Sequence, residues 1–324
     1  MLAHDWRPTA SLAALAARDD LNRLIRNFFQ RRAVLEVETP LMSRGSGTDP
    51  QLAPIVARYG VGPGSVGEPR YLQTSPEFAM KRLLAAGSGP IYQLGKAFRD
   101  GESGPRHNPE FTLLEWYRPG FTLEQLMEEV AALVREALAL AADPIARVSY
   151  AALFQREFGL DPHSAPLVHL QALVHARVDR QLDLGERDAC LDVLYSALIE
   201  PTLLEPVFIY DYPATQAALA KTAPDAQGRL VARRFELVMG GLELANGYDE
   251  LSDAAEQARR FEQDALTRAR LGLPPLAADT RLVAALTQGL PACAGVALGV
   301  DRLLMLKLGT RHIDAVLAFP HARA

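Results

Sequence analysis

The sequence predicts an α+β fold built around a mostly antiparallel sheet, and three observations carry that expectation. Short runs of strand character recur at hairpin-like spacing, amphipathic helical stretches interrupt them, and no internal repeat or separating linker divides the chain.

Taken in order, Asp19 to Arg32 repeats apolar residues at Leu21, Leu24, Ile25, Phe28 and Phe29, which is helical spacing with one apolar stripe. "VLEVETP", residues 34–40, reads as a strand stopped by Pro40. "APIVARY" and "RYLQTS" are two further strands, separated by a Gly/Pro-rich loop at 60–69. A helix follows at once, with Ser75 as N-cap, Pro76 at the first helical position and Gly87 as its end. "IYQLGKAF" and residues 109–117 form a strand pair, and Thr122 to Ala142 is helical again. Residues 151–205 read as mainly helical and carry no interpretable motif. Residues 234–248 return to strand character, Phe261 to Leu271 is helical, and "GVALGVDRLLMLKLG" passes from strand to helix.

Composition bounds the function. The chain has 324 residues, 49% of them hydrophobic and 23% charged, which excludes a disordered or fibrous protein. A formal charge of −5 without any Lys/Arg run gives no general field for nucleic acid. Cys190 and Cys293 are too few and too isolated for a disulfide framework or a zinc site, and they suit a reducing compartment. "SLAALAARDD" is too short and too soon charged for a signal peptide, and no run approaches the roughly 18 apolar residues of a membrane span, so the expected location is cytoplasmic.

Three stretches carry chemistry. In "FRDGESGPRHNPEFTLLEWY", residues 98–117, a strand over 109–117 places Phe111, Leu113, Glu115 and Tyr117 on one face and Glu110, Thr112, Leu114 and Trp116 on the other. The first face can stack a planar ring and hold a cation. Arg99 can clamp a phosphate or carboxylate through two parallel hydrogen bonds, or pair with Glu110 across the hairpin. In "RFELVMGGLELANGYDEL", residues 234–251, Glu236 and Glu243 are an odd number of positions apart and would face opposite ways on one flat strand. Gly240-Gly241 offers a bulge or reversal that brings them together, either as hard oxygen ligands for Mg²⁺ or as exposed sheet acids. Beyond them Asn246, Tyr248 and Glu250 share a face, as a polar pocket wall or an exposed strand. In "GVALGVDRLLML", Gly295 and Gly299 allow close backbone approach, Asp301 can cap the helix, and Arg302 sits at the strand-to-helix junction.

In this order the three stretches resemble a known family. "VLEVETP", "FRDGESGPRHNPEF" and "GVALGVDR" look like motifs one, two and three of class II aminoacyl-tRNA synthetases, and "TSPE", "LLEWY" and "LELANGYDEL" resemble the lysyl branch. The match spans nearly the whole chain. It implies ATP as substrate, bound by Arg99, Asp100, Gly101, Glu102, His107, Asn108, Phe111, Glu243, Leu244, Gly299 and Arg302. Arg99 and Arg302 would act on the α- and γ-phosphates, Phe111 would stack on adenine, and Glu236 and Glu243 would carry Mg²⁺. Ser75, Pro76, Glu77, Glu115, Tyr117, Asn246, Tyr248, Glu250 and Ala297 would line the amino-acid pocket. One position departs from the family: Gly101 stands where motif two usually has an acid, and Glu102 follows it.

A lysine-like substrate brings two ammonium groups, which Glu77, Glu115 and Glu250 can compensate. The resemblance also implies a homodimer through motif one. Lysyl-tRNA synthetases of this branch carry an N-terminal anticodon-reading OB-fold, whereas here the motif-one helix is expected from about Asp19, leaving a single catalytic domain over 1–324. "LELANG", "GVALGVDR" and "LEWYRPGF" are closest to the elongation factor P lysine ligase family, which implies (R)-β-lysine as substrate, a lysine side chain of elongation factor P as acceptor, and no role for tRNA. Lysyl-tRNA synthetases typically have Gly where Ala297 stands, so this β carbon is expected to favour the β-amino acid.

Overall fold

A computed structural model describes residues 6–60, 62 and 65–324; Val61, Pro63 and Gly64 of the expected loop lie outside the described residues. The chain forms two compact units. The first comprises Met1–Phe121, Ala132–Leu140 and Ser252–Ala324, and the second Thr122–Ala131 and Ala141–Leu251.

The first unit opens with helix α1, Leu12–Gln30, which starts seven residues before the expected Asp19 because Ser11 caps it, accepting from the Ala14 N–H at 3.1 Å. The Ala-rich "LAALAA" that argues against a signal peptide is itself strongly helix-forming. Leu21, Ile25, Phe28 and Phe29 are buried, as their spacing requires. Phe29 stacks on Tyr92 at 4.4 Å and meets the edge of Trp116 at 5.3 Å. Burying each such side chain contributes roughly 1.5–3 kcal/mol.

Of "VLEVETP" only Leu35–Glu36 is a strand, β1, pairing parallel with β5, Ile91–Phe98. The rest runs extended: the Val37 N–H donates to the Tyr92 carbonyl and the Thr39 N–H to Gln93 Oε1. Strands β2, Met42–Ser43, β3, Val56–Tyr59, and β4, Glu68–Leu72, make a small antiparallel sheet. Strand β6, Glu110–Pro119, pairs antiparallel with β5 on one side and with the late strand β12, Cys293–Gly299, on the other. Around these lie α2, Glu77–Ala85, α7, Ala254–Arg270, α8, Thr280–Gln288, and α9, Val300–Lys307. Helix α3, Leu123–Leu138, gives its first residues to the second unit and its last to the first.

In the second unit β7, Ala146–Ser149, pairs parallel with β8, Val207–Pro213, and β8 pairs antiparallel with β10, Leu230–Met239, which also takes the short β9, Thr222–Pro224. Strand β11, Leu242–Asp249, completes a hairpin with β10. The helical stretch expected at 151–205 is α4, Tyr150–Phe158, α5, Leu167–Arg177, and α6, Arg187–Leu194, running on into a π-helical turn at Tyr195–Ile199. Its core is aromatic at the sheet: Tyr150 lies 4.7 Å from both Phe154 and Tyr212. Most strand pairs are antiparallel, and the architecture is α+β.

Candidate functional site

Within the first unit the alternation on β6 is as expected. Leu114 and Trp116 are fully buried against the α1 side, and Phe111, Glu115 and Tyr117 occupy the opposite face. Glu115 is 2% exposed and lies between Gln93 on β5 and Ala297 on β12. The Ser75 hydroxyl donates to its Oε2 at 2.7 Å and the Tyr117 hydroxyl to its Oε1 at 2.6 Å. Ser75 also accepts the Glu77 N–H at 3.0 Å, but the cap position belongs to Pro76 and α2 begins at Glu77, one residue later than expected, so Ser75 stands just ahead of the cap. Burial, and then the charge of Glu77, push the Glu115 carboxyl up to about 7. Glu77 has a cation of its own, Lys81 Nζ at 2.6 Å, one helical turn on and 1% exposed. Two carboxylates thus share this cluster with one ammonium group.

Along the same strand pair lies an arginine-aromatic cluster. The Arg99 guanidinium sits 5.0 Å from the Phe111 ring centroid and 3.5 Å from Glu102. Glu110 instead pairs with Lys96 at 3.3 Å, which removes the alternative of an Arg99–Glu110 bridge. Gly101 adopts a φ of +77°, so the chain turns at the position that lacks the acid, and the next residue supplies the partner to Arg99. Arg302, in the first turn of α9, donates to His107 Nε2 at 2.7 Å. Asp301 does not cap the helix, since Gly299 holds that position; it accepts from the Thr112 N–H at 2.7 Å and from Arg18 at 2.5 Å. Arg99, Asp100, Gly101, Glu102, His107 and Asn108 are thus carried by the β5–β6 connection, Phe111 by β6 itself and Arg302 by the first turn of α9. Asn108 is bonded within the protein at both amide atoms, donating to the Glu110 carbonyl at 2.6 Å and accepting the His321 N–H at 2.9 Å.

Within the second unit Gly240 and Gly241, at φ +63° and +68°, make the two-residue reversal between β10 and β11. Val238 lies opposite Glu243, but the register then shifts, so that Leu237 pairs with Ala245, Glu236 with Asn246 and Arg234 with Tyr248. Leu244 is the extra residue of this bulge. The reversal puts Glu236 and Glu243 on one face, and the bulge adds Asn246 and Tyr248 to it. Glu250, 1% exposed, follows the strand in a bridge with Ala220. Burial, and then the charge of Glu243, push the Glu236 carboxyl up to about 8. Arg234 answers part of that charge. It lies 2.6 Å from Glu236 and over the Tyr212 and Tyr248 rings at 4.4 and 5.6 Å.

Arg234, Tyr212, Lys81 and Arg18, the partner of Asp301, belong to these clusters without a role in the sequence-based expectation. Lys81 follows Glu77 by four residues, a visible signal, whereas the Asp301–Arg18 contact spans 283 residues and has none. Among the described residues no group of three or more His, Cys, Asp or Glu side chains could hold a metal alone. The paired Glu236 and Glu243 still fit Mg²⁺, which is usually held by one or two carboxylates together with substrate phosphates.

Comparison with known proteins converges on one family. The family model described as tRNA synthetases class II (D, K and N) matches residues 3–323. The "Elongation factor P--(R)-beta-lysine ligase" of Vibrio cholerae serotype O1 is 50% identical over 331 residues, covering 100% of both chains. The protein of the same name from Proteus mirabilis is 49% identical over 326 residues, 99% of this chain and 98% of the relative. That of Yersinia pestis (strain Pestoides F) is 47% identical over 325 residues, 97% of each.

Proposed function

Since the chain belongs to the class II tRNA synthetase family (D, K and N), we propose that it is an ATP-dependent ligase that activates (R)-β-lysine as the acyl adenylate and transfers it to a lysine side chain of elongation factor P. The observation that carries the substrate class is Glu115, buried between two hydroxyl donors and pushed up to about 7 by burial and Glu77, beside a single ammonium, Lys81, for two carboxylates. A substrate ammonium supplies the second.

In the first half-reaction a substrate carboxylate oxygen attacks the α-phosphorus, and the bond to the bridging oxygen of the β-phosphate breaks, releasing pyrophosphate. Arg99 orients and neutralises the α-phosphate, Arg302 the γ-phosphate, and Phe111 stacks on adenine. Asp100, Gly101, Glu102 and His107 complete the nucleotide contacts, with Glu243, Leu244 and Gly299. Glu236 and Glu243 would hold Mg²⁺, whose chemistry when bound is to neutralise phosphate charge. Ser75, Pro76, Glu77, Tyr117, Asn246, Tyr248, Glu250 and Ala297 serve the amino acid. In the second half-reaction the acceptor amine, having lost its proton, attacks the acyl carbon, forms the amide and expels AMP. The family match over 3–323 takes in residues of both units, which supports one catalytic domain.

We further assign the chain a homodimeric state and a cytoplasmic location. Leu35 in the motif-one stretch and Val56 and Tyr59 on β3, each more than half exposed, support the dimer. No described helix is long and apolar enough to cross a membrane.

The test is to incubate the protein with ATP and radiolabelled (R)-β-lysine or α-lysine, then to offer elongation factor P or tRNA separately. Label on elongation factor P with little on tRNA is expected. Label on tRNA alone would overturn the acceptor, and no amino-acid-dependent ATP–pyrophosphate exchange would overturn the activity.

A further inference from the structure

The loop between β5 and β6 is closed by two backbone hydrogen bonds between Gly104 and His107, and it is tied at three points. The Ile313 N–H donates to the Pro105 carbonyl at 2.8 Å, Arg302 donates to His107, and the His321 N–H donates to Asn108 Oδ1 at 2.9 Å. Two of these ties come from the last dozen residues. That segment is itself anchored: Ile313, Val316 and Leu317 are buried, the Thr9 N–H donates to the Ala318 carbonyl at 2.8 Å, and Arg18 donates to the Val316 carbonyl at 2.8 Å.

We propose that the segment Ile313–Arg323 is a clasp that positions the Gly104–Asn108 loop for nucleotide binding, with Asn108 as the positioning residue between them. The proposal rests on the ligase reading given above. Asn108 is 8% exposed and its amide is used on both sides, by His321 and by the Glu110 carbonyl, so its side chain braces the loop. Its neighbour His107, exposed and directed to Arg302, is thereby held at the nucleotide end of the strand pair. The acid pocket is held separately, by Ser75 and Tyr117 on Glu115, so the clasp governs ATP and not the amino acid.

One hydrogen bond tests this. Replacing His321 with Pro deletes the N–H that reaches Asn108 together with the imidazole, at the first position of a short 3₁₀ turn where Pro is tolerated; the preceding Pro320, at ψ 160°, already has the extended backbone that a following Pro requires. His321→Ala keeps the N–H and is the control, and Asn108→Leu removes the contact from the other side. Two quantities are measured in the full-length protein: the rate of trypsin cleavage after Arg106, which is exposed at the loop tip, and KM for ATP and for the amino acid in pyrophosphate exchange.

His321→Pro and Asn108→Leu should each accelerate cleavage and raise KM for ATP about fivefold, the scale of one hydrogen bond, with KM for the amino acid within twofold of wild type. His321→Ala should match wild type in both. Cleavage and KM for ATP unchanged in both variants overturn the clasp and leave the ligase reading intact. Faster cleavage with unchanged KM for ATP overturns the clasp's bearing on nucleotide. If the wild type shows no exchange at all, the ligase reading falls, and the trypsin comparison still decides whether the tail holds the loop.

Discussion

Ala297 stands directly opposite Glu115 in the β6–β12 register, so its methyl group shares the face and the immediate neighbourhood of the acid. A β-amino acid holds its amine one carbon farther from the carboxylate than α-lysine does, and under the proposed function the methyl group would occupy space that the nearer amine needs. Ala297→Gly should therefore raise kcat/KM for α-lysine relative to (R)-β-lysine by about tenfold, the scale of one methyl group in a pocket; an unchanged ratio in pyrophosphate exchange would exclude Ala297 as the selector. Glu115 makes a second prediction. Its carboxyl is raised in the folded protein, so its contribution to stability is complete below the unfolded value near about 4.3 and is lost as pH rises through about 7. The free enzyme should lose melting temperature between pH 5 and pH 8. Glu115→Gln should flatten that slope, and saturating lysine should restore the wild type at pH 8. A variant with the wild-type slope in a fluorimetric melting series would show that the burden lies elsewhere.

The β10–β11 hairpin shows what an element adds to its residues. Gly241 has φ +68°, and a Cβ there would come within 3.2 Å of the Pro201 Cα. Gly241→Ala should cost about 1–2 kcal/mol from the backbone conformation alone, read as a lowered urea midpoint, and should weaken Mg²⁺-dependent exchange more than amino-acid binding. Equal midpoints would mean that the turn relaxes without strain. The hairpin also marks how far the sequence could be read. Gly240-Gly241 announces a reversal because few other residues accept positive φ twice in succession, and the Phe111, Glu115 and Tyr117 face follows from a period of two. The extra residue at Leu244 leaves no such mark: a bulge is a matter of register between strands, and either strand alone looks regular. Arg234 is hidden for a related reason. Read alone it is one of two adjacent arginines; it shares a face with Glu236, two residues on along β10, but only the pairing with β11 and β8 brings it to Tyr248 and Tyr212. Helix α1 was legible over its apolar stripe but not at its beginning, since the cap and the alanines before Asp19 carry no apolar period.

For the molecule as a whole, the proposed dimer predicts a mass near twice the 35.3 kDa of one chain in light scattering at working concentration. A mass of one chain would leave the exposed Leu35, Val56 and Tyr59 without that explanation. The division of the chain into a first unit that brackets a second has a further consequence, which concerns time. Synthesis proceeds from the amino end, and domains generally fold as units, the N-terminal one first. Here that order cannot hold. A ribosome that has just added Leu251 has delivered every residue of the second unit, while the first unit still lacks the strand that pairs with β6, the arginine at 302 and the tail that reaches Asn108. The unit begun first is finished last, and β6 waits with one edge open for about 40 residues beyond that point until its partner strand emerges.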